Sequence, residues 1–396
     1  MSLTRRGALC GSLGVTAAGL LGRPAIAAKE PIRFGWLADL TGPNSATGIG
    51  HNLGVVYAAN KINAAGGVDG RMIDLITRDT ASDPSKAVNA AVEMAANLKV
   101  HVAYGPENSG ETLACGPVLT RFNIPSLVDG VLDQLMDSQK YPNAFRLNAT
   151  NTQWLAADRH YVLDVLKAKK VAVIGDNTGY GTTATATAVA AYKKDGAEVV
   201  YSEVIETTAQ DVSPELLRAR SAGAEAIAIW SDSVELDARL MNARGRLGWD
   251  VAFSGHPALG SGDVAHLLEK PSYWEKCYIV GFRNCSYDAN GKLPPRTQAF
   301  VDEVKGKIDL SSTLLWWVLV GYDAVHIVAD AVKETGSTDA KAIIGYWNHL
   351  TKWPGLFGTF TYTPTEHNGY PTNEVVMSAA NSVRDGALSM APGYTS

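Results

Sequence analysis

Short apolar runs alternate along most of this chain with longer stretches in which apolar residues recur every three or four positions, the two periods that separate strand from helix. Residues 32–38 suit a buried strand, 40–48 carry turn residues at nearly every position, and 49–64 keep helical spacing until Gly66 and Gly67 stop them. A strand is predicted over 73–77, and Ser82, Asp83 and Pro84 open a helix over 85–98. The run 100–104 breaks at Gly105 and Pro106, and a helix restarts near Ser109, capped by Asn108 or by Ser109 itself. Further strands follow at 124–128, 171–174, 198–204, 226–230, 251–254 and 277–280. The alternation predicts an α/β fold in which parallel sheets are covered by helices on both faces. Residues 314–325 are apolar almost all round and read as a core helix, and two late strands, 359–363 and 374–378, flank a turn at 366–369.

In such sheets ligands bind beyond the carboxyl ends of the strands, which selects the segments 41–48, 105–109, 129–131, 176–181, 231–233 and 255–259. The free N–H groups of the helical turn at Ser109, with its hydroxyl, form a site for a carboxylate. The plainer role for Ser109 is a helix cap.

The chain has 396 residues, 19% of them charged, enough for two domains with separate cores. Residues 1–28 differ from the rest: Arg5 and Arg6 precede an apolar Gly/Ala-rich run and a small-residue cleavage pattern around Ala25 and Ala27, which reads as an export signal, by the twin-arginine route or the general one. Its removal takes away Arg5, Arg6 and Arg23 and no acid, leaving 32 basic against 40 acidic residues, a net charge of −8. That balance argues against a nucleic-acid partner. No later stretch reaches about eighteen apolar residues without a charge. Three cysteines follow residue 28, Cys115, Cys277 and Cys285, and the one disulfide considered, Cys277 to Cys285, requires the strand at 277–280 to end before Cys285.

Gly48, Gly50 and Gly54 nearly spell a dinucleotide fingerprint, but the last glycine falls one residue late and the loop before them is too long. Nucleophile elbows, zinc-protease pairs and phosphate loops are absent from the sequence, so an enzyme lacks its carriers and neither a cofactor nor a metal is expected. His256 stands as a hydrogen-bond partner near a cleft rather than a proton carrier.

Leu40-Thr-Gly-Pro, then Gly54, Ile62, Asn63, Gly66 to Arg71, then Asp79, Asp83, Pro84, Ala87 and Val88, then Gly105, Pro106 and Ser109 together resemble the branched-chain amino acid type, Leu/Ile/Val-binding-protein-like, of periplasmic solute-binding protein. The resemblance implies a two-lobe type I periplasmic binding fold, each lobe a parallel sheet flanked by helices, with three crossover segments near 146–150, 281–283 and 354–358. Lobe one would comprise 29–148 plus 283–354, and lobe two 149–282 plus 355–396. By position, Asn108 and Ser109 match the family's carboxylate-holding pair, Asp129 and Val131 fall where the solute meets backbone and small side chains, Thr47 where the first loop supplies a wall, and Tyr180 where lobe two supplies an aromatic lid. Amino-acid binders of the family place an acid after the strand read here at 251–254; this chain has Gly255, His256 and Pro257, and an aromatic residue expected near Asp232 is missing as well. These departures favour an aromatic or other carboxylic acid lacking the amine, while Glu107, Asp129 or Asp232, turned inward, would restore an amino acid or amide. The implied role is a monomeric periplasmic receptor that delivers its solute to the permease of an ABC importer, with a periplasmic enzyme or a sensing lobe as rivals.

Overall fold

The computed structural model describes residues 29–394; the predicted signal segment lies outside the described residues. The first sheet is built from β1 (Ile32–Ala38), β2 (Ile73–Asp79), β3 (Val102–Tyr104), β4 (Ser126–Val128) and β5 (Ala144–Arg146), in the order β2-β1-β3-β4-β5 with every pairing parallel. The second contains β6 (Lys170–Asp176), β7 (Glu198–Ile205), β8 (Ala226–Trp230), β9 (Ala252–Gly255) and β10 (Cys277–Phe282), in the order β10-β9-β8-β6-β7, and the strand Val375–Ala379 joins β10 antiparallel at its edge. Strand order reverses at β1 in one sheet and at β6 in the other, so each sheet opens a crevice at the carboxyl ends of its central strands.

Local chemistry starts the helices where the crevices need them. In α1 (Ser45–Ala64) the first turn is polar, and Asn44 before it spends its carboxamide on Asp39 (2.8 Å) instead of capping the helix. The prediction that 41–48 is loop therefore fails for its second half, and Thr47 sits on a helix. Asp83 caps α2 (Pro84–Val92) through the N–H groups of Ser85 and Lys86. Asn108 caps α3 (Ser109–Arg121) by accepting from Gly110 at 2.9 Å, so the cap is Asn108 and Ser109 is the first helical residue. A reciprocal Thr150–Gln153 box opens α4 (Asn151–His160), and Thr178 caps α5 (Gly179–Lys194).

The helix Leu315–Thr335 is buried along most of its length and crosses α1 at van der Waals contact. A Cβ at Gly54 would lie 1.9 Å from the Val318 carbonyl oxygen, and one at Gly321 would lie 2.2 Å from that of His51. Gly50 and Gly54 of α1 thus serve helix packing, while a Cβ at Gly48 would lie 2.1 Å from the Asp39 carbonyl oxygen. Two late expectations change. Thr359–Phe360 pairs with Trp353–Pro354 and not with Val375–Ala379. The turn closed by Thr363 and Glu366 is followed by His367, buried and stacked on Phe145 at 4.0 Å. Cys115, Cys277 and Cys285 are all free; β10 runs on to Phe282 and carries the chain away from Cys277 before the short turn Arg283–Cys285.

Candidate functional site

Between the carboxyl ends of the two sheets lies a small cavity, and seven of the eight predicted site residues line it: Thr47, Ser109, Asp129 and Val131 from the first sheet's side, Tyr180, Asp232 and His256 from the second's. The lining also includes Asn44 and Glu107, with Trp154 on α4 and Trp316 and Trp317 on the long buried helix. The cavity is about 20 Å³, room for little more than one water.

Asn108 is the exception. Its side chain crosses between lobes, donating from Nδ2 to Asp232 Oδ2 at 2.7 Å while Oδ1 caps α3. Beside this bridge the first turns of α3 and α5 meet glycine to glycine, where a Cβ on Gly179 would lie 2.7 Å from the Gly110 Cα. His256 lies beside Asp232: Nδ1 of its ring receives the Ala258 N–H at 3.2 Å, and Nε2 is 3.1 Å from Asp232 Oδ1. The Asp232 backbone is fixed in turn by Asp176 Oδ2 at 2.7 Å.

The opposite wall is built around two less committed acids. Glu107 Oε2 accepts weakly from the Asp39 N–H at 3.3 Å, while Oε1 is buried without a hydrogen-bond partner. Burial and the adjacent Asp39 hold the Glu107 carboxyl well above the usual range, in its protonated form. Asp129 accepts from Asn148 at 3.1 Å, and burial pushes it up to about 8. Between them lies His51, bonded to the Tyr104 hydroxyl at 2.9 Å, with Glu107 at 3.6 Å and Asp129 at 3.7 Å from its ring nitrogens. Full burial lowers His51 to about 3, so it is a neutral imidazole. Ser109 accepts from the Leu132 N–H at 3.3 Å, which tethers the loop carrying Asp129 and Val131.

Hydroxyl and indole donors of Thr47, Tyr180, Trp154, Trp316 and Trp317 are buried without partners among the described residues. The rings are mutually inclined: Trp154 meets Trp316 at 85° and 6.2 Å, and Tyr180 meets His256 at 52° and 5.2 Å. Sequence reasoning had assigned Trp316 and Trp317 to core, and it passed over His51, Asn44 and Trp154. The helical pattern marks Trp316 and Trp317 as buried without saying that they face the cleft. No group of three or more potential metal ligands occurs among the described residues.

Two α/β lobes thus face one cavity at the carboxyl ends of their sheets. The chain belongs to the periplasmic binding protein family, whose model matches residues 31–382. It is 26% identical over 354 residues to the Leu/Ile/Val-binding protein homolog 3 of Brucella melitensis, covering 89% of this chain and 92% of that one. Among solved structures, the branched-chain amino acid transporter substrate-binding protein LivJ of Streptococcus pneumoniae, in complex with isoleucine, superposes with a TM-score of 0.77 at 21% identity, over 90% of this chain and 97% of that one. A solute-binding protein of an ABC transporter from Rhodopseudomonas palustris, in complex with 4-hydroxybenzoate, does so with 0.74 at 19%, over 91% and 95%. This is therefore a branched-chain amino acid type periplasmic binding protein with the type I fold, a solute-binding component of ABC transporters and of a non-enzymatic, extracytoplasmic kind.

Proposed function

We propose that this protein captures one small organic solute between Thr47, Ser109 and Asp129 on one lobe and Tyr180, Asp232 and His256 on the other, then delivers it as a monomer to an importer's permease. The lobe boundaries at 148, 282 and 354, and export by residues 1–28, by either route, are part of the proposal. The sequence favours a carboxylic acid without an amine, on the premise that an ammonium would lack an acid. The geometry weakens that premise, since Asp129, Asp232 and Glu107 all line the cavity. This observation carries the reading adopted here: the solute presents nitrogen-bound hydrogens to carboxyl oxygens, as an amino acid or amide does.

A free carboxylic acid, aromatic or otherwise, is the second reading. The unpartnered donors of Thr47, Tyr180 and Trp154 favour it, because they would serve a carboxylate oxygen. A thermal-shift screen of amino acids, amides and aromatic acids separates the two, since a ligand at a hundred times its dissociation constant adds about 2.7 kcal/mol of stability. Nitrogen-bearing ligands should raise the melting temperature. A shift with 4-hydroxybenzoate and none with any amine or amide would reverse the order.

A further inference from the structure

We infer that Phe282 and Phe357 couple what occupies the cavity to the angle between the lobes, each packing against the cavity's indole walls from a segment where the chain passes between the sheets; this rests on the solute-capture reading above. The chain makes that passage three times: after β5, after β10, and between the helix Leu315–Thr335, packed on α1, and the strand Val375–Ala379 of the second sheet. Phe282 is the last residue of β10, and Phe357 lies on the third passage. Both rings are buried.

The two rings meet edge to face, 4.7 Å apart at 73°. Phe282 lies 4.9 Å from Trp316 and 6.2 Å from Trp154, and Phe357 lies 5.8 Å from Trp316. Aromatic pairs at such separations attract one another in a close-packed interior, so an indole that moves to admit a solute displaces the rings behind it.

Hydrogen bonds join those rings to the backbone of the passages. Asp323, 2% exposed, accepts the N–H groups of Leu356 and Phe357 at 2.9 and 2.8 Å, and it stands on the same helix as Trp316. One helix thus carries a cavity wall and the anchor of the third passage. Arg296 donates to the carbonyls of Pro354 and Gly355 at 2.8 and 3.2 Å, and Asn284, just beyond β10, donates to the Phe357 carbonyl at 3.2 Å. Tyr362 donates to the Arg146 carbonyl at 2.6 Å, which ties the third passage to the first. The passages therefore shift together, and a small displacement at the wall is amplified into a rotation of one lobe, because packed interfaces switch between discrete arrangements. Neither phenylalanine lines the cavity, so both are positioning residues that act through Trp154 and Trp316 and affect all solutes alike.

The test uses the full exported chain spin-labelled at Lys86→Cys on α2 and Thr182→Cys on α5, exposed positions beside opposite sheets, the cysteines at 115, 277 and 285 being buried. Distances measured between the labels without solute should lengthen and broaden in Phe282→Leu, in Phe357→Leu and in Asn284→Ala, the last a milder variant that keeps both rings. Phe253→Leu, in the buried core at β9, should lower the melting temperature and leave the distances unchanged. Leucine, butyramide and 4-hydroxybenzoate then serve as calorimetric probes. Each one that binds the wild type should bind Phe357→Leu more weakly by one common factor, about threefold or more, because the closing-competent fraction falls whatever the solute. Unchanged distances in all three variants overturn the inference, as does an equal shift in Phe253→Leu or a loss of affinity confined to one probe. If the distances shift as expected and none of the probes binds the wild type, the hinge role of the two rings stands and the solute reading falls.

Discussion

The two faces of the cleft carry acids in opposite states of commitment. On the second lobe's side, Asp232 is engaged: Asn108 donates to its Oδ2, the His256 ring lies 3.1 Å from its Oδ1, and its own N–H is held by Asp176. On the first lobe's side, Glu107 and Asp129 keep free oxygens, and the imidazole between them is neutral. An inward-pointing acid is therefore not enough to assign recognition. Unfilled acceptors thus face the cavity from lobe one, while the Asn108–Asp232 hydrogen bond joins the lobes.

That contrast is broken most strongly by pH. Asp129 titrates at about 8 and Glu107 well above the ordinary range in the folded protein, whereas in the unfolded chain each carboxyl titrates at about 4. Between those values the folded state holds protons the unfolded chain has released. The stability these groups contribute is thus complete below about pH 4 and falls as pH rises toward 8, by up to about 1.4 kcal/mol per unit for each group. Denaturant unfolding of the solute-free protein should show lower stability at pH 8 than at pH 5. Asp129→Asn should flatten that slope, and a wild-type stability that rises across this range would show that the acids of lobe one are ionised and paired.

The bridge itself is the next place to press. Replacing Asn108 by Ala removes a hydrogen bond to a buried carboxylate, worth about 1.5–3 kcal/mol, and also the cap of α3, worth about 1 kcal/mol. Asn108→Ser keeps a capping oxygen and loses only the bridge. With the solute returned by the thermal-shift screen, the serine variant should bind about ten- to a hundredfold more weakly at nearly unchanged melting temperature, and scattering should show a less compact liganded form. Equal affinity in wild type and the serine variant would remove Asp232 from the closure of the lobes.

The legibility of these features in the sequence follows from their periodicity. Strands β6, β8 and β10 announce themselves because a continuous apolar run has few alternatives, and the segments after them hold the cleft residues for a topological reason. The start of α1 was hidden because its first turn lines the cavity and is polar, with Asn44 diverted to Asp39. Pattern reading takes such a turn for a loop. Trp316 and Trp317 were hidden for the converse reason: a helix buried on all sides gives no sign of which face meets a cavity and which meets core. The pairing of Thr359–Phe360 with Trp353–Pro354 depends on partners brought together only by the tertiary fold.

Ser109 is the finest test, because a tethering role and a solute role act on the same oxygen. Its Oγ accepts the Leu132 N–H at 3.3 Å, a long bond, which leaves the hydroxyl proton free to turn toward the cavity that the residue lines. Ser109→Ala removes both capacities. Loss of the tether leaves a buried N–H unpaired at a cost of about 1 kcal/mol or more to folding, and loss of a donor to a neutral group costs roughly 0.5–1.5 kcal/mol of affinity. If lobe one recognises an amine, the alanine variant should lose stability and keep affinity within about threefold, because Ser109 then serves the Leu132 loop. If the solute is a carboxylate, affinity should fall by about tenfold or more, since a donor to an ionised group is worth more. Calorimetry and denaturant unfolding on the same variant decide between them, and a large loss of affinity at unchanged stability would move recognition from Glu107 and Asp129 to the first turn of α3.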